Sequence, residues 1–434
     1  MGQAGMADVR EQVRGQYQEQ AHAGPALEPL REPLFRSLWI AAVISYTGTW
    51  MQNVGAGWLM TSLTMDQPRA PLMVGLVQAA TSLPVFLVVL VAGALADMVD
   101  RRRLLLTAQI WMTLAAAALG VLTLLGMVGP WTLLAFTFLL GFGNVMNDPA
   151  WQAITPEIVS ARCFAAAVAL NSAGFNVARA VGPAIGGVVV AMAGSGAAFL
   201  LNAASFLGVI VFLYRWKRAP QASNHPAQRV WHAVGAGLDY IRGAPAVRAV
   251  LVRTGLFSLF ASALWAMLPL IAKEHGSIGF GTLVACLGAG AVVGATLIPA
   301  LRRRMSLNRL VALATAVFAV VTCVAGVVRV FPVLCLVLFL GGMAWLSILA
   351  SLNLSAQTMS PQWVRARALS AYLLVLQGGM AAGGALWGAL AGEIGITRAL
   401  AVAAAGLTMG LLFARRYRLG AAWVELPPPV TTGA

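Results

Sequence analysis

The sequence predicts an all-α polytopic membrane protein of twelve transmembrane helices in two six-helix bundles, and three observations carry that expectation. Of the 434 residues, 60% are hydrophobic and 10% charged, whereas a water-soluble domain needs about 25% charged residues. Apolar runs of roughly twenty residues, each long enough to cross a ~30 Å hydrocarbon layer as a helix, recur along the whole chain. Arginine and lysine gather in alternate breaks between those runs, as expected of loops held on one side of a membrane.

Six runs precede the longest interior break, at about 37–62, 72–96, 104–126, 131–156, 166–193 and 196–214, and six follow it, at about 249–272, 279–300, 309–328, 333–357, 368–393 and 396–414. The chain thus divides into a polar tail (1–34), a first bundle (35–214), a linker (215–248), a second bundle (249–414) and a closing tail (415–434). The first tail carries Asp8, Arg10, Glu11, Arg14 and Glu19 and lacks the apolar run of a cleavable signal peptide, so it is expected to remain cytoplasmic and disordered. Within the linker, the stretch RVWHAVGAGLDYIRGAP reads as a short interfacial helix joining the bundles.

With the N-terminus inside, 23 of the 29 Lys and Arg residues fall in cytoplasmic breaks. Only Arg69, Lys273, Arg329 and Arg398 fall outside, while Arg179 and Arg253 lie within spans. Both termini are therefore expected in the cytoplasm, which requires an even number of spans. The net charge of +15 belongs to these loops and implies no nucleic-acid partner, since no basic stretch is interleaved with aromatics on a soluble domain.

The two bundles share internal similarity. QAITPEIVSAR (152–162) aligns with QTMSPQWVRAR (357–367) at an offset of 205, and near an offset of 201 Gly93 and Arg101, Arg102 and Arg103 match Gly294 and Arg302, Arg303 and Arg304. A repeat after six spans gives the halves one topology, the parallel arrangement of transporters with a central site between them. Enzyme chemistry is not indicated. His22, His225, His232 and His275 lie outside the spans without metal spacing, and Cys163, Cys286, Cys323 and Cys335 read as small buried hydrophobes. No phosphate-binding loop is present, so neither a cofactor, a metal nor direct use of ATP is expected.

The break after the second span reads GALADMVDRRRLL. Gly93, Leu95, Asp97, Arg101 and Arg102 match the loop signature of the major facilitator superfamily, which this chain resembles from about residue 30 to 415. Met98 and Asp100 depart from that signature. Together with DPAWQAITPEIV and LNSAGFNVARAVGPAIGG, the loop makes the chain similar to the enterobactin-exporter-like (transmembrane secretion effector) branch of bacterial exporters. Gly93 permits close packing, and Asp97 offers a carboxylate to helix-end donors or to arginines of the opposing bundle, contacts that can form in one state and break in another. Topology alone would also account for the arginines. GPAIGG matches the core of a motif associated with the superfamily's antiporters, and Gly182, Pro183, Gly186 and Gly187 would form a small-faced hinge, or simply a close-packed seam. Ala178 and Ala169 stand where that motif has further glycines.

Charges at span depth are costly and mark function. Arg179 in the fifth span and Asp148 on the antiparallel fourth lie at depths about 6 Å apart at 1.5 Å per residue, within reach of an arginine side chain. They can pair; alternatively Arg179 serves an anionic substrate, or each is solvated separately. Glu157, nearer the interface, is expected to meet the 101–103 cluster. Asn53, Gln78, Asn144, Asn171, Asn176, Trp265, Asn353 and Gln377 are cavity candidates, although helix-to-helix hydrogen bonding explains each of them equally well.

These readings imply a monomeric secondary transporter in the bacterial inner membrane, exporting a hydrophobic or amphipathic small molecule such as a drug or siderophore. By the resemblance, protons would move inward as substrate leaves, with Asp148 or Asp97 as the available carboxylates. An importer on the same fold is the alternative; a membrane receptor or assembly protein without transport is a more distant one.

Overall fold

The computed structural model describes residues 27–98, 100–216 and 244–414, with 416, 417 and 419; side chains are described at all of these except 89–98, 148–150, 152, 153, 161, 362, 363 and 366. The expected disordered tail before residue 27, the linker's interfacial helix and most of the closing tail lie outside the described residues.

The described chain is helical almost throughout. In the first half run α1 (Pro33–Thr64), α2 (Ala70–Met98), α3 (Arg101–Leu124) and α4 (Pro130–Ile158), and then the continuous stretch Phe164–Arg215, which bends at Gly194 into α5 (164–193) and α6 (195–215). The second half contains α7 (Pro245–Ile271), α8 (Gly276–Arg304), α9 (Leu307–Val327), α10 (Phe331–Thr358), α11 (Gln362–Ile394) and α12 (Ile396–Ala414). Pro33, Pro130, Pro245 and Phe331-Pro332 begin helices where a missing amide proton costs nothing. Among the described residues, eight stretches are long and apolar enough to cross a membrane, and two of them, Phe164–Arg215 and Pro245–Arg304, are each long enough for two crossings. α1 and α4 are not among the eight, because polar and small residues such as Gln52 and Asn53 in α1 and Asn144 and Asn147 in α4 interrupt their apolar sequences.

The corners repeat as the sequence does. Gly194 has φ 80° between α5 and α6, and Gly395 has φ 86° between α11 and α12. Both sit in the left-handed region that favours glycine, at equivalent corners of the two halves. Each half packs its own helices into a bundle, α1 against α5 and α6 in the first, and α7 against α11 and α8 against α10 in the second. The halves meet along two seams, α2 with α11 and α5 with α8.

Glycine makes those seams possible. A Cβ on Gly388 would stand 2.8 Å from the carbonyl oxygen of Pro71, and one on Gly384 would stand 2.8 Å from that of Gly75. A Cβ on Gly187 would lie 2.6 Å from the carbonyl oxygen of Ser277 and 3.1 Å from the Cα of Gly281. The Ser277 hydroxyl donates across this seam to the Gly187 carbonyl at 3.2 Å. Without a hydrophobic force between helices in lipid, such backbone approach supplies the dispersion and weak polar contacts that hold them. These close approaches lie toward the ends of the helices away from Pro33 and Ala414, where the two described halves touch.

At the opposite face the first bundle is tied by charge. Asp100 caps α3 by accepting from the Arg103 amide at 2.9 Å. Arg102 donates to the carbonyls of Leu213 and Tyr214 at 2.6 and 2.8 Å, satisfying the last turn of α6. Arg101 meets Glu157 at 3.1 Å, linking α3 to α4. Arg101 is a third exposed, so the pair contributes about 1 kcal/mol at most and acts as a register mark.

Candidate functional site

Between the halves lies a cavity of about 500 Å³, within the ~300–1,000 Å³ range of small-molecule sites. Its two walls differ chemically. The first half contributes polar groups: Gln52 and Asn53 from α1, Gln78 from α2, Asn144 from α4, Arg179 from α5 and Asn202 from α6. The second half contributes rings and aliphatic groups, chiefly Trp265, Phe280, Trp345, Leu376 and Met380, together with Gln377.

Several polar groups are held in place. Asn202 donates to Gln52 across α6 and α1, and Gln78 donates to Ser82 at 3.0 Å along α2. Just beneath, Gln109 donates to Asn147 at 2.9 Å. On the aromatic wall Trp345 packs against Trp265, Phe257 and Phe318 with centroid separations of 5.4, 5.4 and 5.7 Å. Rings locked this way form a rigid platform with little entropy left to lose on binding.

Two donors on the cavity wall have no partner among the described residues. Arg179 is 8% exposed, its guanidinium carbon stands 5.7 Å over the Trp50 ring, and its Nε has no hydrogen-bond partner. The Trp265 indole Nε1 is likewise buried and unpartnered. Buried donors without acceptors are uncommon because each forfeits about 1–3 kcal/mol of solvation, and these two stand on the wall of one cavity. Among the described lining residues there is no carboxylate.

The cavity thus gathers Asn53, Gln78, Asn144, Arg179, Trp265 and Gln377 from the sequence candidates. Asn171, Asn176 and Asn353 lie off it: Asn171 donates to Thr155 at 3.3 Å, Asn176 to the Ser172 carbonyl at 2.8 Å, and Asn353 accepts from Gln357. Gly93, Leu95, Asp97 and Asp148 have side chains outside the described residues. Gly182 and Gly186 press on α1, at Trp50 and Met51, while Gly187 faces α8, so the GPAIGG segment wedges between its own bundle and the other one. Sequence reading misses Asn202, whose segment is otherwise largely apolar; a lone asparagine in such a run is the available signal.

Among the described residues, twelve long helices in two similar bundles around a central amphipathic cavity have the architecture of a membrane transporter of the major facilitator fold. Residues 24–425 match the model of the transmembrane secretion effector family, and the chain belongs to that family. Its curated relatives include the multidrug efflux pump Tap of Mycolicibacterium fortuitum, 26% identical over 78% of this chain and 84% of that one. The enterobactin exporter EntS of Citrobacter koseri is 27% identical over 93% of this chain and 96% of its own length. Among solved structures, a mutant of the nucleoside transporter NupG superposes with a TM-score of 0.71 at 12% identity, covering 88% of this chain and 99% of that one. That likeness concerns the fold alone. The protein is a multi-pass transporter that exports small molecules, not an enzyme.

Proposed function

We propose that this protein exports an amphipathic small anion, bearing an aromatic or other flat apolar part, by alternating access coupled to inward proton movement. The observation that carries the substrate class is the buried, hydrogen-bond-poor Arg179 on a cavity wall whose described residues include no carboxylate. A cationic ligand would face an uncompensated like charge there, whereas an anionic one would supply the missing acceptor. The aromatic wall at Trp265 and Trp345 supports stacking of the apolar part. Tap and EntS, relatives named for multidrug efflux and for enterobactin export, support the outward direction. The deciding experiment loads inverted vesicles with a proton gradient and follows uptake of matched anionic and cationic amphiphiles, with and without protonophore. Anion uptake abolished by the protonophore is the expected result; preference for the cation overturns the substrate class, and indifference to the protonophore overturns the coupling.

Loop charge supports placing both termini in the cytoplasm of a bacterial inner membrane. On that placement the close glycine contacts of the two seams lie toward the periplasmic side. Reporters fused after Arg218 and at the C-terminus are both expected to read cytoplasmic, and a periplasmic signal at either site refutes the topology. Asp97, in the signature after the second span, is assigned a latch role on the cytoplasmic side. Asp97→Asn should insert at normal levels yet export at least about tenfold more slowly, since a contact made in only one of two balanced states shifts their ratio by its full free energy. Unchanged export would leave the loop with a purely topological role.

A further inference from the structure

A second cavity, of about 840 Å³, lies wholly within the second bundle, between α7, α9, α10 and α12, near the membrane face that carries the termini. It is separate from the central site except that Phe257, on its wall, packs at a tilt against Trp345. Most of its lining is apolar, including Leu256, Leu313, Leu352 and Leu411. Leu313 and Leu412, on α9 and α12, are more than half exposed on the bundle's outer surface, so the cavity borders lipid.

One end is cationic. Arg253 spends Nη2 on the Ala414 carbonyl at 2.9 Å, while its Nε is buried without a partner. Arg309, in the first turn of α9, makes no hydrogen bond or ion pair with a described residue. Ser306, the residue before α9, makes no side-chain cap, so the first-turn amides of this 21-residue helix keep their donors. Asn308 does not fill them, because its side chain is engaged in both directions with the Leu419 backbone. Among the described lining residues there is no Asp or Glu.

We propose that this cavity binds an anionic phospholipid of the leaflet on the termini side, with its phosphate at the start of α9 between Arg253 and Arg309 and an acyl chain along the leucine-lined interior. Three kinds of unused donor belong to residues on this one wall: the buried Arg253 Nε, the Arg309 guanidinium without a partner among the described residues, and the uncapped amides at the start of α9. Together they suit a phosphate, and the long apolar remainder opening to the bilayer suits what a lipid carries behind it. A free anion would leave that apolar volume empty, and a zwitterionic lipid would bring its own cation to the arginines.

The test uses the purified full-length protein in detergent, incubated with equimolar phosphatidylglycerol and phosphatidylcholine and read by native mass spectrometry. Phosphatidylglycerol adducts should exceed phosphatidylcholine adducts by about fivefold, the factor one cation at a lipid surface is worth. Arg309→Gln should erase that preference, and Ala312→Trp, which fills the apolar part and leaves both arginines, should reduce retention of either lipid. Neither variant touches the Arg253 contact that closes α12, and unchanged thermal melting in lipid-free detergent would verify that both are folded. Equal retention of the two lipids, or indifference to both variants, overturns the proposal. Displacement of the lipid by millimolar inorganic phosphate with Ala312→Trp behaving as wild type would show an anion site only, and would also overturn it. Export through the central cavity enters none of these readings.

Discussion

Replacing Gly187 with leucine is expected to leave the protein in the membrane and reduce export by at least about fivefold. A Cβ at this position meets the Ser277 carbonyl oxygen at 2.6 Å and the Gly281 Cα at 3.1 Å, both backbone atoms of α8 that cannot rotate aside. Overpacking of this kind costs about 1–3 kcal/mol where a core must yield. Here the strain falls on a seam between halves, so it can be relieved by parting α5 from α8, which penalises only the state in which that seam is closed. At about 1.4 kcal/mol per factor of ten, the same strain shifts the balance of states by roughly five- to 150-fold. Gly186→Leu provides the comparison, because its Cβ would press on the Met51 Cα at 2.8 Å, inside one bundle. That variant should lose abundance rather than access. Labelling of a cysteine introduced at Gln377, in a background lacking Cys163, Cys286, Cys323 and Cys335, reads which face is open. Gly187→Leu should raise labelling from the face away from the termini, and wild-type export with wild-type labelling would remove the seam from the gating mechanism.

The seams show where sequence is and is not sufficient. Twelve apolar runs, their breaks and the glycine corner near residue 194 follow from chain solvation and backbone sterics, which are local, so they are readable residue by residue. Which face of each helix meets which neighbour is a property of tertiary packing. Asn53 and Asn144 reach the cavity while Asn171, Asn176 and Asn353 bond within or beside their own helices, yet all five look alike at their depths in the sequence. The α2–α11 seam is readable in part, since Gly384 and Gly388 are spaced for close helix approach; among 45 glycines that spacing recurs too often to choose without the partner helix. Arg179 stands out because an arginine at mid-depth is rare in any membrane helix, but its stacking on Trp50 and its unused Nε require the neighbours.

Arg179→Gln should therefore act on function in one direction and on stability in none, or in the other. A cation buried to 8% exposure with no described ion-pair partner is expensive to keep. Substituting a neutral amide relieves that cost, so membrane abundance and melting temperature should hold or rise, as when a strained functional group is removed. Export of an anionic amphiphile should fall at least tenfold, because a charged hydrogen bond to substrate contributes about 1.5–3 kcal/mol. Arg179→Lys keeps the charge but loses the planar fork and the stacked geometry, and should recover export only in part. Asp148 supplies the necessary cross-check, since it follows the cavity-lining Asn144 by four residues along α4, about one helical turn. In a cycle of Asp148→Asn, Arg179→Gln and the double variant, the effects on abundance should add to within about 0.5 kcal/mol, the mark of residues that do not share a bond. If instead each single variant is destabilised by about 3–5 kcal/mol and the double variant recovers, Arg179 belongs to a buried pair with Asp148 and not to the substrate. Should abundance be unaffected throughout while Asp148→Asn alone uncouples export from the proton gradient, Asp148 carries the proton and Arg179 the anion, a division of labour between two helices of the same bundle.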